Sequence, residues 1–530
     1  MATVSSGFLS MLVQSSFGIK GATVIVSLVV TVAVAISVYF TDRPYEDFAM
    51  FGKDGTKIDL VAKYRWLTSA KKIMKEGMQK AKGPFQVVAN CGPLILLPPT
   101  MMEEIRNDDR MTFKAWLKQH FFTTYPGFQG FAPAVENDVF VSSVKVGLTQ
   151  TLGRATEVLS AETDDILKEL YPYNEEWKET TFDKDATNII ARLSTCIFMP
   201  GLAHNEEWLK IAVDYTVDFF TGAYILRMIP PILRPIVHWV LPPTRKLRKD
   251  IKIAQRLING ELSARKRKRE EDRKAGRPVE LPVDALQWVE TVSHNKGLHC
   301  DPVHSQLNYT LGAVHTTSIT FVNAVCDLIA HPKYFELLRE EVNTVYAANG
   351  NQWNKTSVSQ LQLMDSFMKE SARLSPVTML PINRVAEETF TLSNGTTIPK
   401  GATVGVPTLR ATDPSVFPDP YKFDGHRFFN LRNEPGGASK YQFVSTSNDM
   451  IIFGHGKHAC PGRFFAANEI KILLSKFLLG YDLKFPDDQL DRLRPLEVGA
   501  DTIPNPLLRI WIRSRKQGQA STPAVTVEAK

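Results

Sequence analysis

One cysteine, at residue 460, constrains this chain more than any other position. It lies in Ile451 to Tyr481, IIFGHGKHACPGRFFAANEIKILLSKFLLGY, between a glycine-rich loop (Phe453, Gly454, Gly456) and a Pro-Gly step, and a largely apolar helical run follows from Arg463 to Leu479. Gly456 and Gly462 let the backbone bend and approach a flat ligand that any Cβ would obstruct. Because Cys460 comes just before a helix, its sulfur faces unpaired N–H groups and the positive end of the dipole, which favours thiolate over thiol. Phe453 would shield the sulfur from water. A lone cysteine ahead of a core helix is ordinarily a small buried hydrophobe, so the wider pattern decides.

That pattern, F-x-x-G-x-basic-x-C-x-G, is met at every position by Phe453, Gly456, His458, Cys460 and Gly462. Its four fixed residues arise by chance on the order of once in 10³ chains of this length, which sets the packing reading aside. It is the haem-binding signature of the cytochrome P450 family, and the sequence resembles that family over nearly all of Pro44 to Lys516. The resemblance implies that Cys460 is the axial ligand of a haem b iron, a thiolate that pushes electron density toward O–O cleavage. It also implies that His458, standing where the family usually carries Arg, meets a haem propionate. The implied fold is mainly α with a minor β region, one catalytic domain over 44–516, preceded by one N-terminal transmembrane helix.

Composition fits a globular chain, since 44% hydrophobic and 10% aromatic residues over 530 positions can bury a large core. The net charge of +7 suits an anionic membrane surface or an acidic partner protein; it is no nucleic-acid signature. Cys91, Cys196, Cys300, Cys326 and Cys460 are far apart with no C-x-x-C pair, which argues for a reducing compartment and against a disulfide framework or zinc ribbon. There is no G-x-S-x-G, H-E-x-x-H or phosphate loop to support a hydrolase or nucleotide enzyme.

Gly21 to Phe40, GATVIVSLVVTVAVAISVYF, carries no charge and as a helix would measure about 30 Å, one bilayer. A cleaved signal peptide is the rival, but the Ala33-Val34-Ala35 triplet lies inside the apolar run and no basic segment precedes it. Lys20 stands alone before the span, whereas Arg43, Lys53 and Lys57 follow it, so residues 1–20 are expected in the lumen and the bulk of the chain in the cytosol. The resemblance agrees, implying the cytosolic face of the endoplasmic reticulum. Tyr224 to Leu241, YILRMIPPILRPIVHWVL, is apolar, Pro-broken and followed by TRKLRK; it suits either a shallow membrane contact and substrate entry side or a buried connection between helices. Arg265 to Lys274, RKRKREEDRK, mixes signs and reads as a solvated helix end and loop. Residues 517–530 read as a disordered tail.

Phe85 to Pro98 is expected to form two short strands around an Asn-Cys-Gly-Pro turn. Val303 to His331 is a long helical pattern opened by Asp301-Pro302 and closed by Pro332. At its centre, by the resemblance, Gly312 and Ala313 give space over the iron and Thr316 supplies the hydroxyl that organises protons. His315 takes the place usually held by an acid and is the candidate relay group; against this, an isolated Thr often just bonds back to a helix carbonyl. The W-x-x-x-R helix of many relatives is absent, Trp116 being followed by His120, so Lys145 and Arg154 are its candidate substitutes against an ordinary solvated face. Glu370 and Arg373 share a helix face at i and i+3, and the resemblance makes them, with Arg427, a buried structural triad. It also lays Val377, Thr378 and Met379, in SPVTMLP, and Ile503, in GADTIPNP, along the substrate pocket.

Together these imply a membrane-bound haem-thiolate monooxygenase that takes electrons from NADPH through a reductase and uses O₂ on a lipophilic small molecule. AVHTTS, MKESARLSPV and FGHGKHACPGRFFAANEIK are most similar to fungal members resembling ent-kaurene oxidase and the indole-diterpene and meroterpenoid oxidases. The implied substrate is a terpenoid-type secondary metabolite. The alternatives are a haem-thiolate isomerase or dehydratase working without reductase, and a non-catalytic membrane haem-binding protein.

Overall fold

The computed structural model describes residues 44–53, 59–489 and 491–516, with residues 23–24, 26–32 and 35 ahead of them. Residues 1–20, half of the Gly21–Phe40 stretch and the tail 517–530 therefore lie outside the described residues; the described positions between 23 and 35 are helical and exposed.

Helices dominate, and their caps are legible in the residues. Asp301 accepts from the backbone N–H of His304, Pro302 occupies the first turn, and the 29-residue helix Pro302–Ala330 follows. This helix is long and apolar enough to cross a bilayer, yet most of it is buried inside the protein, which makes it the central core helix. Around it pack Phe182–Phe198, Glu206–Met228, Pro242–Lys274, Ala285–Lys296, Gln362–Leu374 and Arg463–Gly480, while Val139–Leu170 lies on Phe182–Phe198, Ala285–Lys296 and Arg463–Gly480 and reaches it through Phe140 and Ser143 on Tyr309. One apolar cluster joins Phe182, Phe321, Phe477 and Tyr334 across these helices. A second joins Phe121, Phe128, Phe219, Leu247 and Leu307.

The β region sits to one side. Its main sheet runs, in spatial order, Ala49–Phe51, Phe85–Ala89, Gly92–Leu96, Thr403–Val406, Ile382–Ala386 and Met111–Thr112. Phe85–Ala89 and Gly92–Leu96 are the expected antiparallel pair, turning at Gly92 with φ +109°. Late in the chain, Leu496–Val498 and Asp501–Ile503 form a hairpin around Gly499 and Ala500, and Thr502 N–H donates to Val377 O at 2.9 Å.

Tertiary context changes one expectation. Pro242–Lys274 stays helical to Lys274, and Arg265 donates to both Asp284 oxygens at 3.0 and 2.6 Å while Arg269 reaches Glu290 and Gln287. The RKRKREEDRK stretch thus clamps the neighbouring helix Ala285–Lys296 on one face, where the sequence suggested only a solvated end and loop.

Candidate functional site

The Cys460 loop is held from both ends. Cys460 N–H donates to Phe453 O at 2.8 Å, and Arg463 Nη1 returns to Cys460 O at 2.7 Å. Gly454 and Gly456 have φ of +71° and +73°, a left-handed backbone that other residues adopt only with strain. A Cβ on Gly456 would come within 2.7 Å of Asn107 Oδ1 and 3.0 Å of the Arg106 backbone oxygen. The Arg106–Asn107 segment therefore leaves no room there for a side chain. At Gly462 nothing lies within 4 Å of where a Cβ would be. Phe453 packs edge-on against Phe443 at 5.1 Å.

The electrostatics at the sulfur differ from expectation. Burial pushes the Cys460 thiol up, and the backbone N–H groups of Gly462 and Arg463 with the Arg463 charge oppose it without prevailing. The helix end is there, but desolvation of an anion outweighs it in the protein alone. A thiolate at this position is stable with a cation on the sulfur, and a soft sulfur ligand with aimed N–H groups and a Cβ-free neighbour fits an iron porphyrin.

The helix Arg463–Gly480 packs directly on Pro302–Ala330. Along that buried helix Gly312 and Thr316 are nonetheless exposed, and nothing lies within 4 Å of a Cβ on Gly312. Thr316 Oγ1 donates to Gly312 O at 2.8 Å, so the back-bond and the open position occur together. His315 turns the other way: it is half-buried, with Nε2 3.0 Å from Val213 O on Glu206–Met228. Burial lowers its pKa, against opposition from Asp183 and Asp214. Ala313 packs at the edge of the main apolar cluster.

A cation that sequence reasoning missed lies beside the Cys460 loop. Arg384, in Ile382–Ala386, is 2% exposed; its Nη1 donates to Asn383 O at 2.7 Å, and its Nε and Nη2 have no partner. Burial lowers its pKa to about 10. His458 is pushed down to about 4 by burial and by the charges of Arg384, Lys457 and Lys145. A buried guanidinium with no carboxylate partner among the described residues, beside further cations, is an environment for a dianion, and it suits the two propionates of haem. The available signal was an arginine in a short strand whose remaining residues, apart from Asn383, are apolar, INRVA. His120, by contrast, is buried against Thr403 Oγ1 at 3.2 Å and held neutral, its pKa near 3.

Glu370, Arg373 and Arg427 come together. Arg373 donates to Glu370 through Nε and Nη2 at 2.8 and 2.7 Å, Arg427 Nε reaches the same carboxylate at 3.2 Å, and the Glu370 and Arg373 side chains are fully buried. Arg373 Nη1 also donates to Ala411 O and Pro420 O, both at 2.6 Å, so the fork ties three stretches of chain. Of the expected pocket residues, Val377 and Thr378 are partly exposed and Ile503 is exposed, while Met379 is buried with Trp66 and Phe85. An open cleft of about 1410 Å³, lined by Asp164, Tyr171, Arg339, Tyr346 and Lys476, contains none of these groups.

The family model for cytochrome P450 matches residues 78–507. The chain belongs to this family. It is similar to the cytochrome P450 monooxygenase hepE of Aspergillus oryzae, 39% identical over 86% of this chain and 83% of the relative. It is likewise similar to easM of Aspergillus fumigatus, at 36% over 85% and 86%, and to ptmU of Penicillium ochrochloron, at 34% over 91% and 95%; both are named cytochrome P450 monooxygenases. This P450 is thus a haem-dependent monooxygenase of mainly helical fold, and haem b is its cofactor.

Proposed function

We propose that this P450 oxidises a lipophilic terpenoid-type intermediate of fungal secondary metabolism, with Cys460 as the axial ligand of the haem iron. The observation that carries the site assignment is the sulfur at the foot of Arg463–Gly480, facing the backbone N–H groups of Gly462 and Arg463, on a helix that packs against the core helix where Gly312 and Thr316 are exposed. Arg384 and His458 hold the propionates, Gly462 lets the ring lie close, and the Glu370–Arg373–Arg427 network fixes the loop's surroundings. When bound, the haem supplies the oxidising chemistry, with one atom of O₂ entering a C–H bond and the other leaving as water. The protein's share is to exclude bulk water and place protons: Thr316 presents its hydroxyl on the open face, and Gly312 leaves room for the reacting carbon. His315, turned to Val213, acts in proton delivery only as a more remote member of that chain.

The apolar character of the surface supports a membrane setting. Val24, Leu28 and Val29 are exposed in the described part of Gly21–Phe40, and Ile232, Ile236 and Trp239 are exposed between Met228 and Pro242. Arg248 stacks over Trp239 at 4.8 Å, so the second patch has a cationic fringe suited to lipid headgroups. On this reading residues 21–40 anchor the chain in the endoplasmic reticulum, residues 44–516 form the cytosolic catalytic domain, and an NADPH-dependent reductase delivers electrons.

The test is the carbon-monoxide difference spectrum of the reduced protein in microsomes, wild type beside Cys460→Ser. A strongly red-shifted Soret band that the substitution abolishes is the expected result; identical spectra in both proteins would sink the assignment. Turnover with a reductase but none without NADPH separates the monooxygenase from a reductase-independent isomerase.

A further inference from the structure

Among the described residues a second buried guanidinium lacks a counter-ion. Arg227, in the last turn of Glu206–Met228, is 7% exposed. Its Nε donates to His120 O at 2.8 Å, and its plane lies over the rings of Phe121 at 4.5 Å and Tyr224 at 5.3 Å. Nη2 has no partner. Among the described residues no carboxylate comes within 4 Å of this side chain. The nearby acid is engaged elsewhere, because the Tyr224 hydroxyl donates to Asp501. The other charged neighbour, Arg234, is also a cation, and its Nη2 donates to Arg227 O at 3.3 Å. His120 cannot balance the charge either, since burial and the two arginines hold it neutral.

The location gives this group a use. Tyr224, one turn before Arg227, is hooked to the hairpin turn at Asp501, and that turn is tied to the Val377–Thr378 segment by Thr502 N–H on Val377 O and by the bridge between Thr378 and Asp501. Arg227 thus sits where the helix end, the Phe113–His120 helix and the pocket-lining hairpin converge, just ahead of the exposed apolar stretch around Ile232 and Ile236. A structural role explains Nε and the two ring faces. It leaves the charge and Nη2 unexplained, and a buried cation without an anion is unfavourable until one arrives.

We propose that Arg227 is the polar anchor of the substrate, binding a carboxylate carried on an otherwise lipophilic molecule. This deepens the monooxygenase reading above and rests on it for the pocket. The aromatic flanks, Phe121 and Tyr224, suit the hydrocarbon beside such a carboxylate, and the planar fork suits its two oxygens.

The experiment compares three acid and ester pairs, dodecanoic acid, abietic acid and oleanolic acid against their methyl esters. Full-length wild type, Arg227→Gln and Arg227→Lys are titrated by thermal shift and by the substrate-induced Soret change. Wild type is expected to bind at least one acid about tenfold or more tightly than its ester. Arg227→Gln should erase that preference while leaving ester binding within about threefold, and Arg227→Lys should retain part of it. No acid preference in any pair, including no acid binding at all, overturns the proposal, as does an Arg227→Gln protein that loses acid and ester alike. If Arg227→Gln does not fold, the wild-type and Arg227→Lys comparison decides. The carbon-monoxide spectrum of each protein reports the haem separately, so a failed haem assignment shows there and not in the thermal shifts.

Discussion

Single residues decide where charge is tolerated in this fold. Glu469, on the helix after Cys460, is fully buried; Ser194 Oγ donates to Oε1 at 3.1 Å, and Oε2 has no hydrogen-bond partner among the described residues. Burial raises its pKa from 4.5 to about 8, so the folded protein keeps a proton that the unfolded chain releases above about pH 4.5. Stability from this group is fully present below pH 4.5 and is lost as pH rises toward 8, at up to about 1.4 kcal/mol per pH unit. Glu469→Gln should flatten the decline of the melting temperature between pH 6 and 8.5; an unchanged slope would show that the carboxyl is not protonated in the fold. Arg384 makes the opposite case, a cation that waits for an anion. Arg384→Ala should lower haem retention severalfold, Arg384→Lys less so, measured as haem per protein after gel filtration. Equal retention in all three proteins would remove Arg384 from the propionate set.

At the scale of elements, Pro302–Ala330 shows how one helix serves two purposes. Val303, Leu307 and Leu311 bury one face against the helices Glu206–Met228 and Pro242–Lys274, and the 3.6-residue period then leaves Gly312 and Thr316 on the opposite side. The hydroxyl of Thr316 is fixed by Gly312 O, so Thr316→Ala should change proton placement without disturbing packing. Product formed per NADPH is expected to fall severalfold while NADPH oxidation continues, with hydrogen peroxide accounting for the difference; unchanged coupling would assign Thr316 to helix structure alone. The Glu370 network is less forgiving. Removing one member of a buried, hydrogen-bonded set strands the others and costs about 3–5 kcal/mol. Glu370→Ala should therefore appear as lost folded, haem-loaded protein and not as altered kinetics of a normal enzyme.

For the whole molecule, two apolar surfaces are exposed, the described part of Gly21–Phe40 and the patch at Ile232, Ile236 and Trp239, and the membrane reading proposed above rests on them. If both act, deleting residues 1–43 should leave part of the protein on liposomes that high salt or the further change Ile232→Ser/Ile236→Ser/Trp239→Ser releases. Complete release by the deletion alone would make the second patch an ordinary surface. Much of this organisation was legible in the residues. The long core helix was readable from Asp301-Pro302 and Pro332, the strand pair from its turn, and the Glu370–Arg373 pair from its i, i+3 spacing, because each of these is local in sequence. The orientation of His315 and the close packing behind Gly456 were not legible for the complementary reason: which way a helix side chain faces and what lies behind a loop depend on Val213 and Arg106, more than 100 and 300 residues away.

The sequence by itself determined the family, the Cys460 motif and the long core helix, since a short motif with fixed spacing and local helix signals encode their own backbone. Only the tertiary structure decided the electrostatics. Whether Cys460 prefers its thiol, whether Arg384 and Arg227 find carboxylates, and whether Glu469 keeps its proton all depend on how much water distant segments remove from each group and which partners they bring. Desolvation is a property of the surroundings, and no local spacing records it.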